Sequence, residues 1–490
     1  MSKKSSKKAK SQRSRERALL NKVHLNAAGI DVGADTHWVA VPEDRDQRPV
    51  RNFGVFTSDL IALCQWLKAC QIQSVAMEST GVYWIPLFQM LEREGFEVQL
   101  VNAKHVKNVP GRKTDVKDCQ WLQQLHTFGM LGGSFRPQAQ MCVVRSYLRL
   151  RDTLSKDCNS LVQRMQKALT EMNIQVHRVI SDITGLTGMS ILRAILAGER
   201  DCIKLAQLKH PQIKSSTQQI AKALEGDYCQ EHLFALQTAL ELYDNYQLKI
   251  MECDKRVEEA MGVFEAKVQV AAPDLSRLRS AQKRQEALRR HHLEQMTGAD
   301  LTKLPGLDLL AVQRILSEVA LDMSRWPSEK HFCAWLNVAP NNRISGGKIL
   351  SSKPRKNANR AAAALRLAAQ SAMQSKTAIG AFIRRMKVRL GAPTAINAGA
   401  HKLARLLYRM LKFGKAYVET GQEAYERLFK ERTIRNLQRK ARELGFHLTP
   451  ATPGALIKDA LHGHANSFVV LIDRSGILWA ARFAPALGGG

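Results

Sequence analysis

Four carboxylates and one serine carry the chemistry that this chain's residues suggest. Asp31 interrupts the apolar run Gly29-Ile-Asp-Val32, and Glu78 closes a second apolar run, Ser74-Val-Ala-Met-Glu78. Asp115 and Asp118 stand three apart in a helical stretch, so they share a face. A carboxylate in a strand that points at the core is costly unless it is paired or binds a metal. Like charges held close repel one another, and a divalent cation removes that repulsion. Hard oxygen donors of this type suit Mg2+ or Mn2+. Two such ions about 4 Å apart stabilise the attacking and leaving oxygens of phosphodiester chemistry. Taken singly, each acid also reads as a cap, a turn residue or a salt-bridge partner, and Asp115 behind Thr114 fits a helix cap. The order of the four, on strand, strand and helix, is what points to a metal site.

The serine is Ser345, in Ser345-Gly346-Gly347. Glycine lets the backbone next to a hydroxyl approach a phosphate closely. Arg343, Lys348, Lys353, Arg355, Lys356 and Arg360 surround it in sequence and are candidate nucleic-acid-binding residues. Such a setting stabilises developing negative charge and an activated serine nucleophile. No His/Asp partner is visible nearby, Ser351 and Ser352 compete for the role, and Ser-Gly-Gly is also a common flexible loop.

Charge points to the substrate. The chain has 490 residues, with 74 Lys+Arg against 44 Asp+Glu, a formal charge of +30. Between Glu329 and Glu419 there is no acid at all, while Lys330 to Val418 holds eighteen Lys and Arg. An excess this large and this clustered favours DNA or RNA as partner, bound by counterion release and not by sequence. Nucleotide loops of the GxxxxGK[ST] or GxGxxG type are absent, which argues against ATP or NAD use. The nine cysteines form no CxxC pair and lie mostly among apolar, helix-like residues, so a reducing compartment and no zinc site are expected. His291 and His292, and His462 and His464, lack further ligands at metal spacing and read as surface histidines. No uninterrupted apolar stretch approaches the length of a membrane span, and the N-terminus lacks the apolar core of a secretory signal. A cytoplasmic, nucleoid-associated protein is expected.

The elements that must position these residues change in character along the chain. Residues 1–22, basic and serine-rich, are expected to be a disordered basic arm for phosphate contacts. Residues 23–135 alternate strands (Ala28–Val32, Trp38–Val41, Ser74–Glu78, Phe96–Val101) with helices (Leu60–Ala69, Pro86–Glu94, Asp115–Leu125), the last with Trp121, Leu122 and Leu125 on its apolar side. That alternation predicts an α/β domain, and acids converging from adjacent strands and a following helix fit an RNase H-like fold. Residues 136–297 predict an all-α, coiled-coil insertion with long helices over Val143–Asn173, Gln218–Cys253 and, with breaks, Asp254–Gln295. Residues 298–420 are read as helical again. Leu304-Pro-Gly-Leu-Asp308 resembles half of a helix–hairpin–helix unit or a plain helical corner, and helices are expected over Asn359–Ser375 and Asn397–Tyr417. Residues 421–490 begin with a charged helix to about Leu444 and end in a hairpin around Phe468–Ile472 and Ile477–Trp479.

Three groups of residues resemble one known family. Gly29-Ile-Asp-Val32 with His37, Glu78-Ser-Thr-Gly-Val-Tyr-Trp84 and Gly111-Arg-Lys-Thr-Asp-Val-Lys-Asp118 are similar to the DEDD-type transposases of insertion sequence 110. Trp335-Leu-Asn-Val-Ala-Pro340 leading to Ser345-Gly346, with Lys356 and Asn359-Arg360 after it, resembles that family's C-terminal transposase domain. Arg164-Met-Gln-Lys-Ala-Leu169 and Gly198-Glu-Arg-Asp201 are similar to its longer members, so the resemblance covers roughly residues 25–447. It implies a RuvC-like N-terminal domain, a coiled-coil middle and a helical C-terminal domain. It implies that Asp31, Glu78, Asp115 and Asp118 hold metal and that Ser345 attacks a phosphodiester to give a phosphoserine link. It further implies double-stranded target and donor DNA as substrates, a noncoding guide RNA (a bridge RNA) from the element's own end, and a homo-oligomer, dimer or tetramer, whose site draws on two protomers. Asp308 departs from the small residue common at its place in the family. Two other readings use part of this evidence: a RuvC-like junction nuclease, which needs the acids but not Ser345, and a non-catalytic RNA- or DNA-binding scaffold, against which the four intact acids argue.

Overall fold

The computed structural model describes residues 22–79, 81–102, 115–352, 359–414 and 416–446 and the short strands 469–472 and 478–481, with only the backbone given for Asp115 and for those two strands. Residues 1–21 of the expected basic arm, the first half of the Gly111–Asp118 motif, and Lys353, Arg355 and Lys356 lie outside the described residues. The chain forms two compact units, Met1–Arg136 and Pro137–Gly490.

The first unit is built on a five-stranded sheet in the order β3-β2-β1-β4-β5, with β1 Ala27–Val32, β2 His37–Ala40, β3 Val50–Phe53, β4 Ser74–Glu78 and β5 Glu97–Val101. Strand β1 runs antiparallel to β2 and parallel to β4, and β4 runs parallel to β5. The central strands are near-continuous apolar runs because both of their faces are covered. On one face Ile30, Val32, Val75 and Met77 pack against helices α1 (Thr57–Ala69) and α2 (Trp84–Arg93). Leu60, Leu63, Cys64 and Leu67 supply the buried stripe of α1, and Leu87, Phe88 and Leu91 that of α2. On the other face Ala76 and Val101 pack with Leu122 of helix α3 (Asp115–Thr127). The edge strand β3 was not expected. Its Arg51 and Asn52 are exposed, so its sequence carries no buried alternation.

In the second unit, α4 (Ala139–Glu171) and α8 (Gln230–Met261) form a long antiparallel pair. Arg151 donates to Asp254 at 3.2 Å, and Gln247 reaches Cys158 further along. Between them in sequence lie α5 (Leu186–Leu196), α6 (Cys202–Gln207) and α7 (Thr217–Leu224), whose Ile191, Ile195, Leu205, Ile220 and Leu224 share a core with Leu169, Met172, Leu233 and Leu236. The single helix expected over Gln218–Cys253 is in fact broken between α7 and α8. The chain there crosses Met172: Asp227 donates its N–H to the Met172 carbonyl at 2.9 Å, and a Cβ on Gly226 would lie 2.3 Å from that oxygen. Helix α9 (Ala281–Thr297) follows an irregular stretch.

The remaining helices are α10 (Leu309–Val319), α11 (Glu329–Trp335), α12 (Arg360–Ala372), α13 (Ala378–Leu390), α14 (Ala392–Phe413) and α15 (Gly421–Glu443). Asp308 caps α10, accepting from the Ala311 N–H at 2.7 Å. The Leu304–Asp308 turn sits on α12: Gly306 has φ +82°, and a Cβ there would meet the Ala368 carbonyl at 2.1 Å. Packing alone therefore requires this glycine. Two expectations change here. Residues 298–420 are not wholly helical, because β6 (Arg343–Ser345) and β7 (Lys348–Ser351) form a hairpin. The helix expected over Asn397–Tyr417 starts earlier, at Ala392, and stops at Gly414, which takes the left-handed conformation (φ +61°). Strands β8 (Val469–Ile472) and β9 (Leu478–Ala481) pair antiparallel. The α/β part followed by helical parts is the fold class anticipated from the sequence. All nine cysteines are free thiols. Among the described residues no helix is long and apolar enough to cross a membrane.

Candidate active site

The packing of α3 on β1 sets the site. Gly29 lies under the helix, and a Cβ there would fall 2.2 Å from the Gln123 nitrogen and 2.5 Å from the Cys119 carbonyl oxygen. Only a glycine admits helix backbone this close to a strand. At its far end α3 is tied to the first residue of β4: Ser74 Oγ and His126 Nε2 are 2.6 Å apart and both residues are buried. The contacts run in opposite senses along helix and strands, so α3 lies antiparallel to β1 and β4. Its N-terminal turn, with Asp115 and Asp118, therefore comes to the carboxyl ends of these strands. Cys119, Leu122, Gln123 and His126 form the buried face; Trp121 and Leu125, expected there, are only half-buried.

Asp31 and Glu78 stand at those same carboxyl ends. The parallel register pairs Gly29 with Ala76 and Ile30 with Met77, and one residue further on come Asp31 and Glu78. Neighbouring strands are about 4.8 Å apart, and alternation puts both acids on the face that α3 covers. Asp31 and Asp118 both bear on the Cys119 thiol. Burial pushes that thiol up to about 12, and the two carboxylates add to the rise. Asp31, Glu78 and Asp118 are each half-buried. Among the described residues no three carboxylate, imidazole or thiol groups already sit as one closed ligand set, and the Asp115 side chain is outside them. The donors are nonetheless of the right kind for a divalent ion, all hard oxygens, carried at two neighbouring strand ends and one helix start.

His37 does not join the acids. It pairs with Val32 across β1 and β2, on the face of α1 and α2, where its ring is buried and its Nδ1 has no partner among the described residues. Burial holds its pKa below the ordinary value.

Two consequences can be measured. Gly29→Ala must lift α3, since backbone atoms cannot yield; the expected cost is roughly 2–3 kcal/mol, read as a lower denaturation midpoint, with the Asp118 turn displaced. An unchanged midpoint would contradict this packing. His126 is held neutral by burial, with stacked His24 acting in the same sense, and its pKa falls to about 4. The unfolded imidazole titrates near 6.5, so between these values the unfolded chain binds the proton. The His126 contribution is complete above about pH 6.5 and is lost as pH falls toward 4, by roughly 3 kcal/mol at most. His126→Gln should flatten that part of the stability profile; an equally steep profile would exclude His126 as its source.

Ser345 ends β6, opposite Lys348 in register, on a hairpin whose residues 343–350 are all exposed. Gly346 (φ +54°) and Gly347 (φ +75°) form its two-residue turn. Positive φ at both central positions is what such a turn needs, so these glycines make a defined hairpin and not a loose loop. Arg343 and Lys348 are exposed beside Ser345. Arg360 starts α12 and pairs with Asp152 at 3.7 Å, an acid that also accepts from Arg314 at 2.9 Å. Part of its charge is thus already matched. Sequence reasoning missed Gly29, Ser74 and His126 as positioning residues, because a tertiary contact leaves no local pattern.

Comparison with known families bears on all of this. Residues 28–174 match the model of the DEDD transposases of IS110 type, and residues 298–384 match that of the IS116/IS110/IS902 transposases. The sheet, its flanking helices and the matches define a DNA transposase, an enzyme that cuts and rejoins DNA, with a RuvC-like N-terminal part. The two matches support a DEDD-type transposase of the IS110 family. A match of this type implies dependence on a divalent metal and DNA as the substrate. No curated protein matches the chain.

Proposed function

We propose that this transposase is a site-specific recombinase in which Asp31, Glu78, Asp115 and Asp118 hold Mg2+ or Mn2+ and Ser345 is the nucleophile. The observation that supports this most is the meeting of two strand ends and one helix start, each bearing a carboxylate, in the first unit. A divalent ion bound there would neutralise charge on the reacting phosphate. Ser345 Oγ forms a bond to phosphorus, the P–O bond to the neighbouring nucleotide breaks, and the departing oxygen takes up a proton. A hydroxyl of the second DNA strand then displaces the serine, which regains its proton. No external energy source is needed, because one phosphodiester is exchanged for another. Arg343 and Lys348 flank the serine and orient the phosphate; Lys353, Arg355, Lys356 and Arg360 extend the basic segment.

The reading extends to a noncoding guide RNA that selects target and donor DNA, and to a dimer or tetramer in which one protomer's acids serve another's serine. The helical stretch 136–297 would carry assembly and RNA, between an RNase H-like part over 23–135 and a serine-bearing part over 298–420. The test is to express the chain with its element's flanking sequence, sequence the RNA that co-purifies, and supply target and donor duplexes with Mg2+. Joined products that require the RNA support the reading. Products that are only hydrolysed, or joining without RNA, overturn it.

A further inference from the structure

Helix α15, Gly421–Glu443, lies beyond both family matches and buries none of its residues. Its first half is anchored. Glu419 accepts from the N–H groups of Ala378 and Gly421, each at 2.8 Å, and Arg384 donates to Gln422 at 2.7 Å. The Arg385 guanidinium lies 3.7 Å from the centre of the Phe429 ring and 5.3 Å from that of Tyr425. Every one of these contacts falls at or before Phe429.

The second half has a different surface. Arg432, Arg435, Arg439 and Arg442 follow one another at spacings of three, four and three, and all four are exposed. Such spacing places them on one face over about 15 Å of helix. Ile434, Leu437, Ala441 and Leu444 recur in the same rhythm on the opposite face. Residues 432–443 hold five cations (these four and Lys440) against one acid, Glu443, a net of +4. Glu443 lies 3.8 Å from Arg439, both well exposed. Arg432, Arg435 and Arg442 have no ion-pair partner among the described residues.

A solvated basic face is the ordinary explanation of such a stripe, and the helix dipole favours cations in the last turn. That covers Arg439, Lys440 and Arg442. It does not cover Arg432 and Arg435, which sit two or more turns from the end. Like charges at these spacings destabilise a helix by about 0.2–0.5 kcal/mol per pair. The stripe therefore costs the isolated helix stability that a polyanion would return. Arginine is the suited cation, since its planar fork meets phosphate oxygens in pairs. At one phosphate per about 1.7 Å of duplex axis, the stripe spans about nine phosphates. The opposite stripe lacks the aromatic residues typical of a helix that lies in a membrane surface.

We propose that Arg432, Arg435, Arg439 and Arg442 form a backbone-binding face for duplex DNA, held out from the second unit by the anchored half of α15. This rests on the chain's DNA substrate and not on the metal site or Ser345.

The test is fluorescence anisotropy of the full-length chain with a labelled duplex of about 30 bp and arbitrary sequence, from about 50 to about 200 mM salt. Wild type is compared with the fourfold Arg→Gln variant at these positions, the fourfold Arg→Lys variant, and Leu437→Ser. Each phosphate contact adds about 0.9 to the slope of log affinity on log salt. Wild-type affinity should thus fall about 100-fold more over that range than the Gln variant's. The Lys variant and Leu437→Ser should keep most of the wild-type slope. Equal slopes for wild type and the Gln variant, or no salt-dependent binding by wild type, would overturn the proposal. So would a change confined to a single-stranded RNA probe or to phosphatidylserine vesicles.

Discussion

Asp31→Asn or Asp118→Asn should lower strand transfer by about a thousandfold or more, the equivalent of about 4 kcal/mol of transition-state stabilisation. Asparagine keeps the shape of the side chain and removes its charge. The contacts of Gly29 and Leu122 with the facing element and the Ser74–His126 bond are left in place by these substitutions. The melting temperature of either variant in metal-free buffer should stay close to that of wild type, since these contacts carry the packing of α3 on the sheet. Activity and stability thus move independently, which separates a functional acid from a structural one. Glu78→Gln should behave in the same way. Full strand transfer by an Asp118→Asn protein would remove that residue from the metal site.

Ser345→Ala should abolish strand transfer and, with it, any covalent link between protein and DNA. A serine hydroxyl is a weak nucleophile unless a base, a metal or a lowered pKa activates it. With the oxygen gone, the expected loss is at least as large as that for the acids. The fold should be unaffected, because Ser345 is exposed and the turn depends on Gly346 and Gly347. A nicked duplex that stalls the reaction should leave wild-type protein attached to DNA after denaturation, with the phosphate on Ser345 by mass spectrometry. DNA binding by Ser345→Ala should remain, since Arg343 and Lys348 are untouched. If the adduct maps to Ser351 or Ser352, the assignment is wrong. If Ser345→Ala protein still cuts DNA at the wild-type rate, a hydrolytic RuvC-like nuclease is the better description.

Much of this architecture is legible in the amino-acid order. Strands β1, β2, β4 and β5 announce themselves as short apolar runs, and Asp31 and Glu78 stand out because they interrupt or close such runs. The long helices α4 and α8 show in their repeating apolar stripes. What sequence conceals are contacts whose partners lie far along the chain. Nothing near Gly29 reveals that α3 will lie against it, or that Ser74 will meet His126. The buried face of α3 carries Gln123 and His126, so the apolar residues Trp121 and Leu125 suggested the wrong side. The break after α7 depends on Met172, some fifty residues away in sequence. The hairpin that bears Ser345 looks like a loop in sequence because glycine pairs signal flexibility as readily as a tight turn. Helix α13 and edge strand β3 were missed, β3 because half its residues face solvent.

The central claim is that the acids at the ends of β1 and β4 and the start of α3 form one divalent-metal site. The most direct measurement is thermal unfolding of the metal-free protein against rising Mg2+ or Mn2+, with wild type beside Asp31→Asn/Asp118→Asn. A ligand that binds only the folded chain stabilises it by about 2.7 kcal/mol at a concentration a hundred times its Kd. Wild type should therefore show a saturable rise in melting temperature, and the double variant should show none. An equal rise in both proteins would mean that the metal binds elsewhere, and would contradict this account.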